Sequence, residues 1–193
     1  MTSSTKTSDS QLKSKDKNDH DVIYTLRTAH QNQTQHLILA DQKANVLIGI
    51  VAVTLTILLS RIDYVTTFFN GQEKLFRYGI GAFFIIETLA LLMAIMVILP
   101  RTASILRSKK PEEMPNALHF GFFSQINEGD YVSYISNTIT DNESARRLLA
   151  KDFYQMGKVL TRKYHYLKFA YSLTIAGFMV LLALIARWVF QLG

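Results

Sequence analysis

The stretch "HLILADQKANVLIGIVAVTLTILLS", His36 to Ser60, sets Asp41, Lys43 and Asn45 directly before an apolar run that continues to Ser60. The run Ala44–Ser60 approaches the roughly 18 to 20 apolar residues that a helix needs to cross about 30 Å of hydrocarbon. Two further runs meet the same test. Tyr78–Leu99 is bounded by Arg77 and by Pro100-Arg101. Phe169–Phe190 is entered from Lys168 and carries Trp188 near its end, where an amphipathic ring suits the membrane interface. The polar remainder of a 193-residue chain could not enclose all these segments as core helices of a soluble bundle. The fold class that follows is an all-α membrane protein, with about three transmembrane helices and long helical cytoplasmic extensions.

Charged residues still make up 19% of the chain, so apolar blocks alternate with polar ones. The chain has no cysteine, which excludes a disulfide framework and any thiolate metal site. A net charge of +6 suits nucleic acid, an anionic lipid surface or a small anionic ligand, and the placement of the charges discriminates among these. Residues 1–43 hold six Lys and Arg, 61–77 hold three, 100–168 hold eleven, and Arg187 is the last of the 21. The positive-inside tendency then puts the N-terminus and the 100–168 region in the cytoplasm, with 61–77 and Gly193 outside. That arrangement sets the basic charge against anionic lipid headgroups or an anionic ligand, and no nucleic-acid partner is expected.

The opening "MTSSTKTSDSQLKSKDKN", residues 1–18, has almost nothing to bury and reads as a disordered cytoplasmic tail, not a signal peptide. The remaining organisation is a cytoplasmic helix over 19–43, a first span over 44–60, an outer loop over 61–77, a second span over 78–99, a cytoplasmic helical region over 100–168 and a third span over 169–190. Val22, Ile23, Leu26, Ala29, Leu37 and Ala40 recur at helical spacing, although the patch "HQNQTQH", His30–His36, weakens the stripe. That helix is expected to run without a break into Ala44. Thr140 to Glu143 has the form of a capping box, and Leu149, Phe153, Met156, Leu160, Tyr164 and Leu167 follow at spacings of three and four. A helix from near Asp141 through the third span would have about 50 residues and a length of about 75 Å. "RSKKPEEMP" reads as a linker, and "NALHFGFFSQINEGDYVSYISNTI" combines a Phe/Gly cluster with a short amphipathic helix carrying Tyr131, Tyr134 and Ile135.

Catalytic signatures are missing: no Gly-rich phosphate loop, His-Glu-x-x-His pair or nucleophile elbow occurs. His30 and His36 lie six apart, off the spacing of a metal pair, and are expected at the surface. No enzyme activity, cofactor or metal is expected. Two ionisable residues fall inside the apolar runs, where charge is costly and often marks function. Glu87, near the middle of the second run, reads either as a packing acid or as a pore or gating residue, and Arg187 sits close enough to the end of the third to snorkel. A pair between the two is geometrically possible.

"ADQKAN" at Ala40–Asn45, "NALHFGFF" at Asn116–Phe123 and "DFYQMGKVLTRKYHYLKFAY" at Asp152–Tyr171 resemble, in order and placement, the transmembrane effector family of the Pycsar antiphage systems. The likeness covers most of residues 37 to 185 and leaves out the N-terminal tail and the outer loop. It implies a bacterial inner-membrane effector encoded beside a pyrimidine nucleotide cyclase. The cyclase answers phage infection with a 3′,5′-cyclic pyrimidine nucleotide, cyclic CMP or cyclic UMP, and the effector then compromises the membrane so that the infected cell dies. Implied partners are the lipid bilayer, that nucleotide and further copies of the chain in a homo-oligomer. A constitutive small channel or transporter subunit, or a membrane anchor for a partner, remain the alternatives.

No separate nucleotide-binding module fits in 193 residues, so a nucleotide site is expected in the cytoplasmic helices. Asp41 and Lys43, two apart, point to different helix faces, and one of them is expected to meet the charged face of the 152–164 helix. The outcome is either an interhelical salt bridge or part of an anion site. Such a site would need a cation for the phosphate and an aromatic platform for the base. Lys43, Lys158, Arg162 and Lys163, with Phe120, Phe123 and Tyr164, are the candidates, and Asp41 and Asn45 are the polar residues of the membrane mouth.

Overall fold

The computed structural model describes residues 3–64, 74–99, 110–114 and 116–191, with the side chains of 3–19, Glu113, Phe120 and Gln191 outside the description. Among the described residues there is no strand. The helices are α1 (Ser3–Ser60), α2 (Lys74–Ile98), α3 (Phe120–Phe123), α4 (Glu128–Thr138) and α5 (Asn142–Gln191), with a 3-10 turn at Pro111–Glu113.

Proline placement explains where the long helices can run. The three prolines stand at 100, 111 and 115, outside α1, α2 and α5. Each of those helices therefore keeps an uninterrupted ladder of backbone hydrogen bonds. α2 ends at Ile98, two residues before Pro100, which disfavours helical geometry at Leu99. Lys110 shows the same effect, with an extended backbone at φ −88° and ψ 133° ahead of the turn that Pro111 starts. α1 passes through the polar patch 30–36 and into Ala44 without a break, as the spacing predicts, and it begins at Ser3, so its backbone takes in most of the stretch read as a tail. An existing helix adds residues at low cost even where they bury nothing, whereas a new nucleus is costly.

The start of α5 differs by one residue from the expected capping box. Asp141, not Thr140, is the cap: its Oδ1 accepts from the Ser144 backbone N–H at 2.7 Å. Aspartate caps as well as serine or threonine and adds a negative charge at the positive end of the helix dipole. That hydrogen bond holds the Asp141 carboxyl below the usual carboxylate range.

The chain divides into two compact units, described separately: residues 1–36 with 100–159, and 37–99 with 160–193. In the first unit α1 and α5 lie in register. His30 meets Asp152 and Thr34 meets Met156, each pair 122 residues apart, so the helices run parallel there. The segment between the turn and α4 is closed by its own bonds. Asn127 caps α4 through Gly129 N–H at 2.9 Å, and the Tyr131 hydroxyl donates to Ala117 O at 3.1 Å. The Tyr131 ring stacks on Phe123 at 5.1 Å, and Met114 and Ala117 are buried.

In the second unit α1, α2 and α5 pack along their lengths. Ala44, Val97 and Leu167 form one layer and Leu47, Val51, Ala94 and Ala170 another. Those layers order the helices: α1 and α5 run parallel and α2 antiparallel to both. Ala40, Ala44, Ala90, Ala94 and Ala170 have no exposed surface, and such small side chains allow close backbone approach where burial from water supplies no driving force between helices. Only 17, 28 and 22% of the most apolar 18-residue windows of α1, α2 and α5 is buried inside the protein. Val46, Ile50, Val53 and Ile57 of α1, Ile85 and Leu92 of α2, and Ile175 and Leu182 of α5 are exposed, which suits lipid as the surrounding solvent. All three helices are long and apolar enough to cross a membrane.

Candidate functional site

At the entrance to the apolar segment of α1, Asp41 is joined to α5: Lys163 Nζ donates to Asp41 Oδ1 at 2.5 Å. The lysine side chain is 18% exposed and the aspartate 37%, so the pair is partly shielded and its charges attract more strongly than in water. Of the two residues expected to meet the charged face of α5, Asp41 does so. Lys43 and Asn45 are exposed, and the Lys43 carbonyl accepts a long hydrogen bond, 3.4 Å, from the Tyr171 hydroxyl. Tyr164 is half-buried against the layer of Ala44, Val97 and Leu167, and Arg162 is exposed.

The first unit holds a polar network that sequence spacing did not single out. Asp152, with a side chain 14% exposed, accepts through both oxygens, from His30 Nε2 at 2.6 Å and from Asn116 Nδ2 at 2.5 Å. Asn116 is 1% exposed, and its Oδ1 accepts from Leu118 N–H at 3.0 Å. One carboxylate thus ties α1 and the segment ahead of α3 to α5. Beside it Gln33 reaches α5, with its amide turned so that the nitrogen donates to Phe153 O at 3.1 Å and the oxygen accepts from Gly157 N–H at 2.9 Å. A β-carbon at 157 would come within 2.8 Å of that amide's oxygen end, so the absence of a side chain there gives Gln33 room. Phe123 is stacked on Tyr131, Lys158 lies over the Tyr154 ring at 4.9 Å, and Phe120 belongs to α3.

The sequence candidates are therefore distributed. Lys163 is brought to Asp41, Lys158 to Tyr154, Phe123 to Tyr131 and Tyr164 to an apolar layer. His30 is not a plain surface residue, because it is bound to Asp152. His30, Gln33, Asn116, Asp152 and Gly157 carried a signal nonetheless: all lie in the stretches "HQNQTQH", "NALHFGFF" and "DFYQMGKVL", and in the first and third of these polar or glycine positions interrupt an otherwise amphipathic helix.

Within the apolar segments, Glu87 on α2 has no exposed surface, and neither carboxyl oxygen has a hydrogen-bond partner. It packs against Gly177 of α5, ten residues before the exposed Arg187. Ten residues are about 15 Å of helix, and a Glu87–Arg187 pair does not form. Thr174 Oγ1 is likewise buried without a partner. Among the described residues no cluster of three or more His, Cys, Asp or Glu side chains could hold a metal.

Comparison with curated proteins and with solved structures gives no match. Comparison with protein families does: the profile of the Pycsar effector protein domain matches residues 25–190, a span that takes in the Asp152 network, the Asp41–Lys163 pair and all three apolar helices. With most of its length matched, and with the membrane-spanning architecture a transmembrane effector needs, the chain belongs to the Pycsar effector family.

Proposed function

We propose that this protein is the membrane-acting arm of a bacterial antiphage system: a non-enzymatic inner-membrane effector switched on by a 3′,5′-cyclic pyrimidine nucleotide from a partner cyclase, causing abortive infection. The observation that carries the reading is the coincidence of family membership over 25–190 with three helices fit to cross a bilayer. Lys and Arg counts favour a cytoplasmic position for the first unit, where a soluble nucleotide would arrive.

The ligand would be read as an anion with a flat base. Lys163 is already engaged by a carboxylate, so a cyclic phosphate at that lysine would exchange with Asp41, with the exposed Arg162 and Lys43 as further cations on α5 and α1. Exchange of this kind biases the packing of α5 against α1 by the difference in nucleotide affinity between the two arrangements. Calorimetric titration of the purified protein with cyclic CMP, cyclic UMP and cyclic AMP tests the reading. Heat is expected with a pyrimidine nucleotide and not with cyclic AMP, and it is lost in the double variant Arg162→Glu, Lys163→Glu. A wild-type protein that binds neither pyrimidine nucleotide overturns the trigger. Retained binding in the double variant moves the anion site elsewhere, to Lys158 and the 119–123 segment.

A further inference from the structure

Glu87 is the residue of the second unit that packing does not account for. Its neighbours along the buried side of α2 are Phe76, Phe83, Ala90, Ala94 and Val97, and an apolar side chain of similar volume would fill its place without an unsatisfied group. Instead the site holds a carboxyl with no exposed surface and no partner for either oxygen. Thr174 Oγ1, also buried and without a partner, stands three residues before Gly177 and so on the same face of α5. Gly177 makes the seat for the acid. A β-carbon there would collide with Glu87 Oε1 and lie 3.0 Å from its Cδ and 3.3 Å from its Cγ. Ionisable groups inside a membrane span face a bundle interior or a water path, and they mark routes for ions.

We propose that Glu87 is an occluded cation site: the Gly177 contact closes it in this structure, and it lines a path for monovalent cations when α2 and α5 part, with the Thr174 hydroxyl as a second oxygen donor. The inference rests on the reading of the chain as a protein that permeabilises membranes. Carboxylate and hydroxyl oxygens can replace the water around a small cation, and acids lining a pore favour cations over anions. Closure by a single glycine contact makes the site sensitive to any stimulus that prefers the parted arrangement.

The test uses the full chain in vesicles under a KCl gradient without nucleotide, with insertion checked for each variant. Gly177→Ala displaces the carboxyl, and K⁺ efflux is expected to rise about tenfold over wild type, with K⁺ preferred over Cl⁻. Adding Glu87→Gln is expected to keep the leak and lower that preference severalfold. Adding Glu87→Ala instead removes the colliding group and is expected to restore the wild-type barrier. In the Gly177 background, Glu87→Met is expected to raise the melting temperature, because an unpartnered polar group is replaced by an apolar one. A properly inserted Gly177→Ala protein that stays tight, an unchanged ion preference on adding Glu87→Gln, or a lower melting temperature for Glu87→Met overturns the proposal. If wild type ignores cyclic nucleotides while these variants behave as stated, the trigger falls and the Glu87 site stands.

Discussion

Asp152 shows how much one side chain can hold. It accepts from His30 and Asn116 at once, and Asn116 is too deeply buried to find water if the carboxylate is removed. Asp152→Ala is expected to cost about 1 to 3 kcal/mol, the usual penalty for a stranded buried polar group. Asp152→Asn should cost less because one acceptor remains. Thermal unfolding gives the stability, and limited proteolysis of residues 110–127 reports whether that segment is released. Equal stabilities for the two variants would contradict the network. Asp141 makes a different prediction, because its cap bond depends on charge. Its carboxyl titrates below its ordinary value when folded, so the added stability is present above the ordinary carboxylate range and is lost as pH falls through the depressed folded value. Hydrogen exchange over residues 142–148 should therefore speed up on acidification through that window. Asp141→Asn, which keeps a capping oxygen without the charge, should flatten the response. Neither Asp152 nor His30 was legible as a site residue, because a bond between residues 122 apart leaves no periodicity in the sequence.

At the scale of elements, three apolar runs were enough to expect three helices long and apolar enough to cross a membrane, but not their starts: α1 begins at Ser3 and α2 at Lys74, inside the stretch read as the outer loop. The join of the polar and apolar parts of α1 and α5 was legible too, for want of any proline between them. Their lateral contacts were not, because pairwise register depends on side-chain shape. Gly79 and Leu184 illustrate this. A β-carbon at 79 would lie 2.7 and 2.9 Å from the two Leu184 methyl carbons, in a position where α2 meets α5. Gly79→Ala is expected to destabilise the packing by about 1 to 3 kcal/mol through overpacking. The double variant Gly79→Ala, Leu184→Ala should recover part of that loss, and thermal unfolding in detergent reads both. A double variant less stable than the sum of its single changes would show that Leu184 is not the residue Gly79 accommodates.

For the whole molecule, the proposed function joins family membership to three helices long and apolar enough to cross a membrane, and its act would be the controlled opening of a bilayer. Opening on command requires a closed arrangement that a ligand disfavours, and such a ligand shifts the balance only through its differential affinity. The Asp41–Lys163 pair is a contact between α1 and α5 that an anion can contest, and the Glu87–Gly177 contact joins α2 to α5 within the apolar segments. Purified protein reconstituted into sealed vesicles loaded with a fluorescent potassium reporter, with cyclic CMP or cyclic UMP then added to the face that carries the first unit, measures that act directly. The account predicts a barrier that holds without nucleotide and fails within the assay when one of the two is supplied, with cyclic AMP inert. Vesicles that remain sealed to both pyrimidine nucleotides, with the protein shown to be inserted in a single orientation, would contradict it.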